Sequence, residues 1–193
     1  MVLADEKRIV QCTLVGDKTT GKTSLARFCC KRLQRDDDST VFDSYAATVS
    51  LKRNETHTVG IFDISSQNEH RDLRHFAYKD SDVFVLCYSA TDRRSFQNIR
   101  DMWLPEIQDF LGHKFPIVLV ATHADKRNSL NFDEDIPVTK EEGLELAKEI
   151  QADAFVDSSA LNKNCGHEVF QHVLLSALKQ KKRKNIIHRI LRK

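Results

Sequence analysis

The sequence is short of several things, and each shortage narrows its class. No stretch holds about 18 uninterrupted apolar residues, so no helical segment is expected to cross a bilayer. Residues Met1–Arg8 lack an apolar signal core and carry Asp5, Glu6, Lys7 and Arg8 instead; no glycine follows Met1 for myristoylation. The five cysteines, Cys12, Cys29, Cys30, Cys87 and Cys165, form no C-x-x-C pair, and three lie in apolar stretches. They read as buried thiols of a reducing compartment, not as a zinc site or a disulfide framework. Asn54–Glu55–Thr56 fits a glycosylation sequon, but with no secretory signal it reads as a turn. The chain ends Ile190–Leu191–Arg192–Lys193 with no cysteine nearby, so neither prenylation nor tail palmitoylation is expected. No internal repeat and no second domain stand out.

What remains is a chain of 193 residues, enough for one domain with a full core. Hydrophobic residues make up 40% and charged residues 30%, which is ordinary for a globular domain. Charge is unevenly spread. The stretch Lys179–Lys193 holds eight Lys/Arg and no acid, leaving 22 basic against 28 acidic residues, a net −6, in the rest. An acidic body with a basic tail suggests that the tail has a partner of its own. The expected division is residues 1–178 as the globular domain and 179–193 as the tail.

The most informative stretch is Gly16–Asp17–Lys18–Thr19–Thr20–Gly21–Lys22–Thr23, a G-x-x-x-x-G-K-T sequence behind the apolar run Ile9–Val15. A strand, a glycine-framed loop and then a helix make the context of a phosphate-binding loop. Its backbone N–H groups curl round phosphates, and the following helix adds its N-terminal partial charge, with Ser24 in the first turn. Lys22 would reach the β- and γ-phosphates and stabilise charge there, and the Thr23 hydroxyl would hold Mg²⁺.

Strand and helix signals then alternate. Gly21–Leu33 reads as a helix, and Arg35–Thr40 as a polar loop. Ala46–Lys52 and Thr56–Ile61 read as an antiparallel hairpin turning at Arg53–Glu55. A polar loop, Asp63–His70, leads to a short helix ending near Tyr78. Val83–Tyr88 and Ile117–Ala121 are continuous apolar runs, expected of strands buried on both faces. Asp92–Leu111 reads as a helix bent at Pro105. Thr139–Gln151 opens with a capping box, Thr139 and Glu142; Ala154–Val156 is a short strand and Gly166–Lys179 a last helix. The fold class is therefore α/β, a mostly parallel sheet with helices on both faces and ligands at the carboxyl ends of the strands.

Four loops fall on that edge. Thr40 could complete Mg²⁺ coordination, and Asp63 ends an apolar strand where a carboxylate could hold the ion through water; Gln67 follows four residues later. Thr122–His123–Ala124–Asp125 ends another strand. A carboxylate at Asp125 can accept from N1–H and N2–H₂ of guanine, which adenine cannot supply. Backbone N–H groups of Ser159–Ala160–Leu161 could meet the guanine O6. Asp125, and the absence of a lid for an acceptor substrate, argue against a kinase or ATPase.

Together these residues resemble the Ras superfamily of small GTPases, and within it the Rho family and its Rac-like branch. The resemblance covers about residues 8–178. It rests on the phosphate loop, Thr40–Val41–Phe42–Asp43–Ser44–Tyr45 (similar to the family's TVFDNY), Asp63 with Gln67, Ser95–Phe96, Trp103 with Pro105–Glu106, Thr122–Asp125, Glu141–Glu142–Gly143 and Ser159–Ala160–Leu161. It implies a small-GTPase G domain with a six-stranded sheet, one strand antiparallel, and five helices. It implies GTP/GDP and Mg²⁺ binding, with Gln67 orienting the attacking water. It further implies effector proteins that read two switch loops, about Arg35–Tyr45 and Asp63–Tyr78. A monomer that binds no nucleic acid is expected. Between Asp125 and Glu141 the chain is longer than in Ras-like proteins and shorter than a full Rho insert helix.

The departures from the family are informative. Lys18 stands where the family has a glycine beside the γ-phosphate, crowding the path of an activating protein's arginine finger, which contributes about 10³–10⁵ in rate. The rival reading, Lys18 as a finger in cis, suffers because an amine is not a bidentate guanidinium. Ser66 replaces the glycine of Asp63–Ile64–Ser65–Ser66, so a Cβ restricts a loop that normally flips. The aromatic that packs on guanine is lost; Leu33, Gln34 and Arg35 occupy its region, and Arg35 could stack instead. These changes predict fast exchange and slow hydrolysis, or, alternatively, a constitutively GTP-bound module that recruits effectors without useful turnover. Effectors of the actin cytoskeleton or membrane traffic are what the resemblance implies.

In the tail, Ile186, Ile187, Ile190 and Leu191 share one helical face, with Lys184, Arg189, Arg192 and Lys193 around it. That pattern suits an anionic membrane surface. The alternatives are a solvated helix end and nuclear import through Lys181–Lys182–Arg183–Lys184. The expected location is cytoplasmic, peripheral on the cytosolic face of membranes, with the nucleus as the alternative.

Overall fold

The computed structural model describes residues 9–29, 41–52, 55–129, 136–158 and 165–191, with the side chains of residues 29, 52, 128, 129, 165 and 184–191 excepted. Six strands form one sheet: β1 (Val10–Val15), β2 (Phe42–Lys52), β3 (Glu55–Ile64), β4 (Val83–Ser89), β5 (Ile117–Thr122) and β6 (Ala154–Asp157). Their order is β2-β3-β1-β4-β5-β6. Only the β2–β3 pair is antiparallel, so the expected hairpin is present and longer than expected at both strands. The other neighbours run parallel.

The continuous apolar runs work because the sheet is covered on both faces. In β4, Val83, Val85 and Cys87 enter one cluster, and Phe84, Leu86 and Tyr88 the other. In β5, Val118 and Val120 split from Ile117, Leu119 and Ala121 in the same way. Side chains alternate across a strand, so both sets find a core. Helices α1 (Lys22–Cys29) and α6 (Cys165–Leu191) cover the first face. Helices α2 (Arg71–Asp80), α3 (Arg93–Asn98), α4 (Leu104–Leu111) and α5 (Lys140–Glu149) lie on the second.

Two local findings refine the expectations. The bend in the Asp92–Leu111 helix is a π-helical turn, Ile99–Trp103, between α3 and α4. Pro105 lacks the N–H that would bond the Asp101 carbonyl and its ring crowds that carbonyl, so the helix widens just before it. The last helix runs without a break through Lys179 to Leu191, so one helix spans the expected start of the tail. Among the described residues, no helix is long and apolar enough to cross a membrane.

The capping box forms as expected. Glu142 N donates to Thr139 Oγ1 at 3.1 Å, and Thr139 N to Glu142 Oε2 at 2.9 Å. It starts α5 where Gly143 can press on the sheet. A Cβ at Gly143 would lie 2.5 Å from both Tyr88 Oη and Phe155 Cζ, atoms at the ends of packed aromatic rings. Gly143→Ala is therefore expected to destabilise by about 1–3 kcal/mol through overpacking, more than the ~1 kcal/mol that Ala brings to a helix. At about 2–4 °C per kcal/mol, thermal unfolding should show a clear drop in Tm; an unchanged or higher Tm would refute it.

Candidate functional site

The sheet register brings the ends of β1, β3, β4 and β5 to one edge: Leu14 pairs with Asp63, Val15 with Leu86, and Ser89 with Thr122. The loop after β1 wraps the N-terminus of α1 there. Gly16 has φ +151°, and a Cβ on it would lie within 2.1 Å of the Cys87 carbonyl oxygen. Only glycine lets the chain turn this close to β4. Gly21, at φ +76°, closes the loop. Thr19 and His123 also hold left-handed backbone, at φ 66° and 54°. Such positions cost about 1–3 kcal/mol each and concentrate at functional sites.

Lys22 is buried at the floor of the loop. Its ammonium donates to the carbonyls of Gly16 at 2.8 Å and Asp17 at 2.5 Å. Burial lowers its pKa, opposed by the nearby Cys87, Asp63 and Asp17. The Cys87 thiol beneath it is pushed up to about 12 by burial, so it stays protonated. Asp63 is 1% exposed, and burial raises its pKa, with the Thr23 hydroxyl and Lys22 acting the other way. Its Oδ2 is buried and has no hydrogen-bond partner among the described residues.

These groups border a cavity of about 730 Å³. The sequence-predicted residues Lys18, Thr19, Gly21, Lys22, Thr23 and Ser24 line it from the loop and α1. Asp63, Ser66, Gln67 and His123 line it from the other strand ends. The side chains of three other sequence-predicted residues bond within the protein. The Asp17 carboxylate accepts from Trp103 Nε1 at 2.6 Å and Asn98 Nδ2 at 2.7 Å. Thr20 Oγ1 donates to the Asp17 carbonyl. The buried Thr122 hydroxyl lies 2.8 Å from the Thr20 carbonyl and 3.0 Å from that of Tyr88, tying the β5 end to the loop. Thr40, Ser159, Ala160 and Leu161 lie outside the described residues.

The His123 end of the cavity is braced. His123 Nδ1 lies 3.1 Å from Ser89 Oγ, and burial, with Lys126, holds its pKa below the ordinary histidine value, so the ring is neutral at neutral pH. Asp125 follows on a short 3₁₀ helix, Ala124–Ser129. That helix is fixed by Arg127, whose guanidinium makes two bonds to Asp157 at 2.6 and 2.7 Å. Ala124 N donates to the Ser158 carbonyl, joining this loop to the end of β6.

A second cluster, which sequence reasoning missed, supports the Gln67 loop. Arg74 is 2% exposed and donates to the carbonyls of Ser65 (3.2 Å) and Gln67 (2.7 Å). It also pairs with Glu106 through two bonds of 2.8 and 2.9 Å, and Tyr78 Oη donates to the same carboxylate at 2.9 Å. Arg74 lies 32 residues from Glu106, so no local pattern marks the pair.

The orphaned Asp63 oxygen beside the Thr23 hydroxyl suits a hard divalent cation, which prefers oxygen ligands and keeps waters. Among the described residues no group of three His, Cys, Asp or Glu is placed to hold a metal ion.

The Glu106 pair makes a pH prediction. Burial alone would raise the Glu106 pKa, but hydrogen bonds from Arg74 and Tyr78 hold it below the ordinary value of 4.5. A depressed carboxylate contributes stability that is full above its unfolded pKa and lost as pH falls through the folded one. Glu106→Gln should cost about 3 kcal/mol at pH 7, because it strands a buried guanidinium, and should flatten the loss of stability below pH 4.5. Urea melts of both proteins across pH 3–7 would show it; parallel curves would refute it.

A sequence model described as the Ras family matches residues 11–179. That match covers most of the chain and fits the glycine-framed loop, the buried lysine and the six-stranded sheet with one antiparallel strand. The chain belongs to the Ras family, small GTPases that bind guanine nucleotides, typically with Mg²⁺, and act as switches through effectors and regulators.

Proposed function

We propose that this chain is a Rho-like switch that exchanges nucleotide fast and hydrolyses GTP slowly. The observation that carries the reading is the position of Lys18. Its exposed side chain borders the 730 Å³ cavity and also an adjoining cavity of about 390 Å³ beside α3, and Ser66 borders both as well. Space next to the γ-phosphate is where a regulator would insert a charged finger, and here it opens between two side chains that the family lacks. Lys22 binds the β- and γ-phosphates. Thr23 and Asp63, with Thr40, hold Mg²⁺, which would neutralise phosphate charge. Gln67 orients the attacking water, and Arg74 holds its main chain. Asp125 accepts from guanine, His123 flanks it, and Ser159–Leu161 meet O6.

Effectors would read the two switch segments, Thr40–Tyr45 and Asp63–Tyr78. Support comes from apolar side chains left exposed there: Val41 44%, Phe42 37%, Leu73 39% and Phe76 60%. As the family resemblance suggests, the signal would go to the actin cytoskeleton or to membrane traffic. The basic end of α6 would hold the protein on the cytosolic face of an anionic membrane, at about 1 kcal/mol per basic residue.

Two measurements test this. In single-turnover assays, a Rho-family activating domain should barely accelerate the wild-type protein, and Lys18→Gly should recover up to about 10³ in rate. Strong acceleration of the wild type together with slow GDP release would sink the reading. Phosphate release that stays undetectable over hours would favour the constitutively loaded module. For the tail, removing residues 179–193 should abolish co-sedimentation with phosphatidylserine vesicles; equal sedimentation with and without the tail would rule out its role.

A further inference from the structure

Trp103 stands where three elements meet. It is 1% exposed, at the end of the π-helical turn between α3 and α4. Its indole N–H donates to one Asp17 oxygen at 2.6 Å, while Asn98, one turn earlier, donates to the other at 2.7 Å. The Arg74 guanidinium lies over the indole ring, 5.4 Å from its centroid. A cation so placed is held by the ring's π-face. Arg74 in turn grips the carbonyls of Ser65 and Gln67.

Asp17 faces two ways. Its carboxylate is anchored to Trp103 and Asn98, while its main-chain carbonyl accepts from Lys22 Nζ and Thr20 Oγ1. The Lys22 ammonium is also the group that a phosphate would claim. Any change in what Lys22 bonds therefore acts on Asp17, and Asp17 is fixed to the side chain that supports Arg74. The path from cavity floor to Gln67 carbonyl is unbroken: Lys22, Asp17, Trp103, Arg74, Gln67. Every link is a hydrogen bond or a ring contact, and the two ends both border the cavity.

We propose that Trp103 is a positioning residue that couples the phosphate loop to the Gln67 loop, so that the occupant of the cavity and the placement of Gln67 are set together. The proposal rests on the nucleotide reading above. It differs from a core-filling tryptophan, whose loss would lower Tm but leave the response to nucleotide intact.

The chain has one tryptophan, so its own emission reports on this joint. The test uses the full chain, Mg²⁺ and a fluorescent GDP analogue. Trp103→Phe keeps an aromatic ring under Arg74 and removes the N–H together with part of the indole. Asp17→Asn and Asn98→Ala weaken the same anchor while leaving the indole in place, so the test survives if Trp103→Phe folds poorly. Loading should shift wild-type emission, and Asp17→Asn should lose most of that shift. Asp17→Asn and Trp103→Phe should each speed analogue release by about tenfold, as loss of a charge-assisted hydrogen bond would. The double variant should be no faster than the faster single one, because both remove one interaction. Amide exchange at residues 65–70 should slow on loading in the wild type and respond less in each variant. Release rates that multiply to about a hundredfold, emission blind to loading, or wild-type exchange responses in the variants would overturn the coupling. Failure of the wild type to bind the analogue at all would instead overturn the nucleotide reading.

Discussion

A buried ammonium governs this molecule. Lys22 is 8% exposed, and a cation removed from water must be compensated by partners. Here the partners are backbone carbonyls of Gly16 and Asp17, which the chain can offer only by curling back on itself. That curl requires the φ of +151° at Gly16 and its close approach to the Cys87 carbonyl. It also places Lys22 near the buried Asp63, a carboxylate whose Oδ2 has no hydrogen-bond partner among the described residues. A buried cation held by carbonyls thus lies near a buried carboxylate with one open oxygen, a charge pattern that a phosphate with a divalent cation would suit.

Much of the fold was legible because its rules are local. The runs Val83–Tyr88 and Ile117–Ala121 read as doubly buried strands, and they are, since alternate residues of each enter opposite clusters. The capping box at Thr139 and Glu142 is a three-residue signal and formed as written. The phosphate loop was legible because glycine spacing encodes backbone shape. Other features were hidden because they depend on distance. Asp17 reads as a residue of the phosphate loop, and nothing local shows that its carboxylate bonds to Trp103, 86 residues later. Arg74 looks like one more basic residue on a short polar helix, yet it is almost fully buried. The Asp92–Leu111 helix was read correctly in extent, while its π-helical widening at residues 99–103 depends on how the Pro105 ring meets the preceding turn.

The hidden features belong together. Widening the helix before Pro105 changes the phase of the residues that follow, and Trp103 ends the widened turn. Its N–H is thereby free of the helix surface and reaches the phosphate loop, while Glu106, at the start of α4, reaches Arg74. A regular helix would carry both side chains at a different angle relative to α3. The irregular turn is thus what lets one helix brace two loops that lie on different strand ends.

That bracing bears on the substitutions at Lys18 and Ser66. Each adds a side chain to a loop whose neighbour is fixed: Lys18 follows Asp17, anchored to Trp103 and Asn98, and Ser66 lies between Ser65 and Gln67, both held by Arg74 through their carbonyls. Loops anchored on both sides cannot easily shift to absorb the added volume. The side chains must then project into the open space, and both border the cavities on either side of them. The contacts that hold Lys22 and the Gln67 main chain also fix the neighbours of these two residues. Under the function proposed above, a regulator approaching the phosphate would meet the Lys18 and Ser66 side chains on an anchored frame, which is the physical argument for slow turn-off.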